Sequence, residues 1–155
     1  MADPEDITAW QRIGPDLTTS GKLAPTDIPR LAAIGTRHVI NLSNPGDPGY
    51  LENEAELLER AGIAYSDVPV PFTALEEAHY ERFASALESG EKPVHVHCIM
   101  NWRVSAFLYR YHRERGMSEA EARTLMTVHW EPDRRDDYPA GDLWGGFIAA
   151  ANTAA

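Results

Sequence analysis

The run Pro93-Val94-His95-Val96-His97-Cys98 constrains the fold more than any other stretch of the chain. Apolar and imidazole side chains alternate along it with the two-residue period of a β-strand, and Val104, Phe107, Leu108 and Tyr111 then resume at helical spacing. A strand that turns within a few residues into a helix is the building unit of an open α/β sheet. The turn between them, His97-Cys98-Ile99-Met100-Asn101-Trp102-Arg103-Val104-Ser105, opens on the one cysteine of the chain.

The same succession of element types recurs upstream. Ile28, Leu31 and Ala32 share one face of a short helix capped by Thr26 or Asp27; Pro29 sits in its first turn, where a missing N–H costs little, and Gly35 ends it. His38-Val39-Ile40-Asn41-Leu42 is a compact β-rich run, and Ser43-Asn44-Pro45-Gly46-Asp47-Pro48-Gly49 after it is a loop dense in turn formers. Leu51 to Ala61 reads as helix stopped by Gly62, and Ile63 to Val70 as strand closed by Pro71. Tyr80, Phe83, Ala84 and Leu87 make the apolar stripe of an amphipathic helix from Leu75 to Leu87. Ser118-Glu119-Ala120-Glu121 is a capping box opening a helix that buries Ala122, Leu125 and Met126, and a last helix is expected from about Asp142 to Ala151. At the front, Trp10 to Gly21 reads as an irregular strand ending in a Thr-Thr-Ser-Gly turn. The expected fold is therefore α/β, a mostly parallel central sheet of four to five strands with helices on both faces.

Composition narrows the function classes. With 155 residues and 43% hydrophobic content the chain has enough apolar mass for one core, so 1–155 is expected to be a single domain, with about residues 1–9 a flexible N-terminus. Fourteen Lys and Arg against 24 Asp and Glu give a formal net charge of -10, and no basic cluster is long enough to follow a nucleic-acid backbone. No run approaches the roughly 20 apolar residues that span a bilayer. The acidic opening Met1-Ala2-Asp3-Pro4-Glu5-Asp6 lacks the basic and apolar parts of a secretion signal, so a cytoplasmic location is expected. A single cysteine makes neither an internal disulfide nor a Cys-rich zinc site, and the grouping of His129, Asp133, Asp136 and Asp137 fits no metal-ligand spacing; neither metal nor cofactor is expected.

What remains is the loop around Cys98. The first N–H groups of a helix have no carbonyl one turn back, and together with the helix dipole they stabilise an anion at the turn. The same field favours a thiolate, the nucleophilic form of cysteine. Arg103 adds a planar, permanently charged fork that matches two oxygens of a phosphate.

These residues resemble the loop of the protein tyrosine and dual-specificity phosphatases, which runs His-Cys, two variable residues, Gly, two variable residues, Arg, then Ser or Thr. The resemblance extends from about Val39 to Met126, through Val39-Ile40-Asn41-Leu42, Tyr65-Ser66-Asp67-Val68-Pro69-Val70 and Pro93 to Cys98, and is greatest to a small bacterial group of phosphatase-like proteins. It implies a dual-specificity-phosphatase-like fold and hydrolysis of phosphate monoesters through a phosphocysteine. Cys98, Arg103 and Ser105 would be catalytic in that scheme. His97, Ile99, Met100, Asn101, Trp102 and Val104 would form the binding loop, the ligand being a phosphorylated small molecule or protein, or a phosphate or sulfate ion.

The match has two registers. Arg103 lies five positions after Cys98 where the pattern has six, Asn101 stands at the Gly place with the left-handed tolerance of asparagine, and Ser105 falls where the hydroxyl belongs. Either the loop has phosphatase length with Arg shifted by one, or it is a tighter loop with Arg103 in place, similar to that of rhodanese sulfurtransferases. The loop Pro71-Phe72-Thr73-Ala74, where these phosphatases carry an acid, has no carboxylate, so Asp67, Glu76 or Glu77 is the candidate proton donor. Two other function classes stay open: a sulfurtransferase carrying a persulfide on Cys98, and a phosphate-recognition module without turnover. The plain readings are a buried inert Cys98, an Arg103 paired with a carboxylate, a packing role for Ser105, and structural histidines at 95 and 97.

Overall fold

The computed structural model describes residues 2–134 and 141–152. Asp136 and Asp137 lie outside the described residues. Five strands form one sheet: β1 (Gln11–Gly14), β2 (Leu17–Ser20), β3 (His38–Asn41), β4 (Ala64–Asp67) and β5 (Val94–His97). Their spatial order is β1-β2-β5-β3-β4, parallel throughout except for the antiparallel β1–β2 hairpin. The helices are α1 (Asp27–Ala33), α2 (Glu54–Arg60), α3 (Glu77–Ser89), α4 (Trp102–Glu114), α5 (Glu119–Met126) and α6 (Gly141–Ala150), with a 3-10 turn at Pro132–Arg134.

The α/β architecture matches the expectation, and the sheet is covered on both sides for a reason visible in β5. Val94 and Val96 point to one face, where they join Ile40, Phe83, Phe107, Met126 and Trp144 from β3 and helices α3 to α6. Val39 points to the other face, against Ile28, Leu31 and Leu58 of α1 and α2. A fully buried Phe or Leu side chain stabilises the fold by about 1.5–3 kcal/mol, so the two layers together supply the drive for a central strand with no wet side.

The front of the chain corrects the sequence reading. Thr18-Thr19-Ser20 is not a turn but strand β2, in register with His95 to His97 of β5, and the reversal falls at Pro15 and Asp16 instead. Turn-prone residue types yield here to the ladder they complete and to two side-chain hydrogen bonds. Ahead of β1, Ile7 is buried in the second core, and the Arg12 guanidinium donates to the Asp3 carboxylate at 2.7 Å.

His95 explains those hydrogen bonds. The Thr18 hydroxyl lies 2.8 Å from Nδ1 and Ser20 Oγ 2.8 Å from Nε2, while Ser20 donates its own proton to the Gly21 carbonyl at 2.9 Å. A neutral imidazole, with its proton on Nε2, satisfies this arrangement, and full burial together with the neighbouring His97 holds the ring well below the usual histidine range. The folded state therefore refuses a proton that the unfolded chain accepts below about pH 6.5. Stability is unaffected above that pH and falls as the solution is acidified through it. We expect urea midpoints to drop between pH 7.5 and 5, with His95 contributing up to about 1.4 kcal/mol per pH unit. His95→Gln should show a shallower slope over the same interval; an unchanged slope would contradict the assignment.

Candidate active site

Strand β5 is central in the sheet, and its C-terminal end delivers the Cys98 loop to the edge where ligands of open α/β sheets bind. Leu42 N–H donates to the His97 carbonyl at 2.8 Å, and Lys22 N–H to the Ile99 carbonyl at 2.9 Å, so both flanking strands grip the loop's entry. Gly21 is required by that grip: a Cβ there would stand 2.3 Å from the Ile99 oxygen.

The loop turns into α4 at Asn101, which takes the left-handed conformation with φ 67° and ψ 8°. A left-handed backbone ordinarily favours glycine, and asparagine adopts it at lower cost than most other residues with a side chain. Its side chain then ties the turn down. Nδ2 donates to the Ala9 carbonyl at 2.9 Å and to Thr19 Oγ1 at 3.0 Å, and Oδ1 accepts from the Ser105 hydroxyl at 3.1 Å. Helix α4 is 13 residues long, and the amides of its first turn face back toward the loop.

Cys98 and Arg103 share one cavity of about 220 Å³, together with Asp47, Pro48, Phe72, Ile99, Met100 and Trp102. Of these lining residues Cys98 is 1% exposed and Arg103 6%, whereas Met100 is 49% exposed. Arg103 Nη1 donates to the Val70 carbonyl at 3.0 Å and lies 3.0 Å from Asp47 Oδ2. The ion-pair reading of Arg103 is thus realised within the cavity, not away from it. The walls are aromatic: Phe72 and Trp102 have ring centroids 6.3 Å apart, Trp102 stacks on Trp130 at 5.4 Å, and the Trp144 indole N–H fixes the Phe72 carbonyl at 2.7 Å.

Three residues of the expected binding loop, Val104, Asn101 and His97, and the expected catalytic Ser105 are not among the residues that line the cavity. Val104 is fully buried in the core. Ser105 donates its hydroxyl to Asn101 and lines a small cleft beside Gln11 and Leu108, on another side of α4. Asn101 is engaged with Ala9 and Thr19. His97 supports the loop from behind: Nδ1 lies 3.2 Å from the Cys98 carbonyl and Nε2 2.6 Å from Glu54 Oε2.

Glu54 was not singled out by sequence reasoning, because a charged residue in the first turn of a short helix reads as solvated. It is 1% exposed, and Asn41 Nδ2 donates to its Oε1 at 3.3 Å. Glu54→Ala leaves His97 and Asn41 short of an acceptor in a buried place. We expect a loss of about 2–3 kcal/mol, a drop in Tm of about 5–10 °C, with Glu54→Gln milder. Thermal unfolding that is unaltered in the alanine variant would contradict the role.

The three carboxylates considered as proton donors are all placed elsewhere. Asp67 ends β4, where burial and then the Glu54 charge push its carboxyl above the ordinary range. Glu76 caps α3, accepting from the His79 N–H. Glu77 binds Arg110 with one contact of 2.8 Å, and that hydrogen bond holds its carboxyl below the usual value. Among the described residues, Asp47 is instead the carboxylate that lines the cavity. Among the described residues no cluster of three or more His, Cys, Asp or Glu is arranged to hold a metal, and no helix is long and apolar enough to cross a membrane.

A central strand ending in His-Cys, a tight turn and an arginine at the start of the next helix place this domain among the phosphatase-like proteins of the protein tyrosine and dual-specificity fold. Residues 9–110 match the family model described as "Beta-lactamase hydrolase-like protein, phosphatase-like domain", and the chain belongs to that family. A DUF442 protein of Shewanella putrefaciens CN-32 superposes with a TM-score of 0.79 at 28% identity, over 96% of this chain and 95% of that one. TpbA of P. aeruginosa, solved in complex with pTyr, shares the fold with a TM-score of 0.67 at 18% identity, over 99% of this chain and 94% of that one. The beta-lactamase hydrolase-like protein of Agrobacterium fabrum is 33% identical over 91 residues, which are 56% of this chain and 21% of that protein. The corresponding Xylella fastidiosa (strain Temecula1) protein is 38% identical over 85 residues, 53% of this chain and 20% of that one. The match thus spans about a fifth of the length of these curated relatives.

Proposed function

We propose that the protein is a cysteine-dependent phosphatase of the tyrosine or dual-specificity type, hydrolysing phosphate monoesters through a phosphocysteine on Cys98. The observation that carries this reading is the convergence of Cys98, Arg103 and the first turn of α4 on one cavity. The loop amides from Ile99 to Arg103 and the helix dipole receive the phosphoryl oxygens. Arg103 spends Nη1 on Val70 and Asp47, and its Nε–Nη2 edge is the two-donor fork for the anion. Ser105 and His97 act through the loop, holding Asn101 and the Cys98 carbonyl in place.

At about 220 Å³ the cavity is smaller than the roughly 300–1,000 Å³ of drug-sized sites, which suits a phosphoryl group entering with part of its carrier. Phe72, Trp102 and Pro48 favour a flat or aryl carrier, on a small molecule or a protein. That TpbA holds phosphotyrosine on the same fold agrees with this substrate class. The reading includes a cytoplasmic location and no need for metal or cofactor.

The test is to mix the protein with an aryl phosphate, quench in acid during turnover and map the peptides by mass. One phosphoryl group on the Cys98 peptide is the expected result. Turnover with no phosphoryl on that peptide would contradict the mechanism. Sulfur transferred to Cys98 from thiosulfate, without ester hydrolysis, would favour the sulfurtransferase class instead.

A further inference from the structure

Breaking a phosphate ester with a poor leaving group requires a proton for the departing oxygen, and none of Asp67, Glu76 and Glu77 lines the cavity. We propose that Asp47, in the loop between β3 and α2, is the general acid and base of the site. The inference rests on the phosphatase reading and adds to it the residue that handles the proton.

Three segments fix this carboxyl where the reaction would occur. Within its own loop, Asn44 N–H donates to Asp47 Oδ2 at 2.9 Å, and Asp47 N–H donates to the Asn44 carbonyl at 3.0 Å. Asn44 Nδ2 anchors the loop to the Val70 carbonyl at 2.7 Å, the same oxygen that receives Arg103 Nη1. Arg103 in turn lies 3.0 Å from Asp47 Oδ2. The carboxyl is thus held against the residue proposed to grip the phosphoryl group, its side chain is 27% exposed, and Asp47 is one of the residues that line the cavity.

In the first step the Cys98 sulfur forms a bond to phosphorus while the bond from phosphorus to the ester oxygen breaks; the Asp47 proton moves to that oxygen, which leaves as the alcohol or phenol. In the second, water attacks phosphorus, the Asp47 carboxylate takes a proton from it, and the phosphorus–sulfur bond breaks to release phosphate and restore the sulfur. The proton count closes over the cycle.

The experiment compares kcat/KM of the protein and of Asp47→Asn on two esters, phenyl phosphate, whose leaving group needs a proton, and dinitrophenyl phosphate, whose leaving group does not. We expect the variant to lose about 10²–10⁴-fold on the phenyl ester and less than about tenfold on the dinitrophenyl ester. The ratio between substrates is measured on one preparation, so any unfolded fraction cancels. Equal losses on both esters would overturn the proposal and leave Asp47 as a positioning partner of Arg103; a gain on both would make it a competitor for the anion site and overturn it equally. If the wild-type protein hydrolyses neither ester faster than Cys98→Ser, the phosphatase reading fails and this inference with it.

Discussion

Cys98→Ser is expected to lose aryl phosphate hydrolysis by on the order of 10³-fold or more while keeping the fold. Serine has nearly the shape of cysteine, so the space stays filled, but a hydroxyl is a far weaker nucleophile than a cysteine sulfur and a far poorer leaving group from phosphorus. The replacement puts a polar group where Cys98 packs within the main core, at a cost of about 1–2 kcal/mol, which leaves the protein folded at room temperature. Activity and thermal unfolding measured together separate the two effects. Because the chain has one cysteine, the loss is attributable to a single sulfur. Retained activity in a folded Cys98→Ser protein would remove the nucleophile from the account.

Arg103→Ala is the second large effect. Arg103 and Cys98 are both buried, and under the proposed mechanism the substitution removes the fork that would receive the phosphoryl oxygens in a site where water screens little. We expect kcat/KM to fall by about 10²–10³-fold, with weaker inhibition by inorganic phosphate. Arg103→Lys should recover little, since a single ammonium reproduces neither the two parallel donors nor the simultaneous contacts to Val70 and Asp47. The Val70 carbonyl keeps the Asn44 donor in both variants, so the surrounding backbone remains satisfied. A lysine variant with full activity would show that Arg103 contributes charge alone.

Much of this architecture was legible in the order of the residues because it rests on local patterns. The period-two run before Cys98 and the helical spacing after it place the loop at a strand-to-helix turn, and the backbone of Asn101 shows why an asparagine serves where glycine is usual. Contacts between segments distant in sequence were not legible. Asp47 sits in a stretch that composition marks only as a turn, and its meeting with Arg103 depends on how the loop after β3 folds over the end of β4. Glu54 looks like any acidic residue near a helix start until α2 docks and turns it onto His97. Thr18 and Ser20 were misread for the same reason: their strand exists because β5 lies alongside and His95 needs both hydroxyls.

Everything in the account depends on the loop and Arg103 forming an anion socket that includes the Cys98 sulfur. Iodoacetate alkylation of Cys98 in increasing inorganic phosphate tests this most directly, with Arg103→Ala run alongside. The account predicts that the native protein is alkylated at Cys98, that phosphate slows the reaction to a saturating limit, and that the arginine variant loses most of this protection. Alkylation that phosphate leaves unchanged, or a sulfur that reacts only after denaturation, would contradict it.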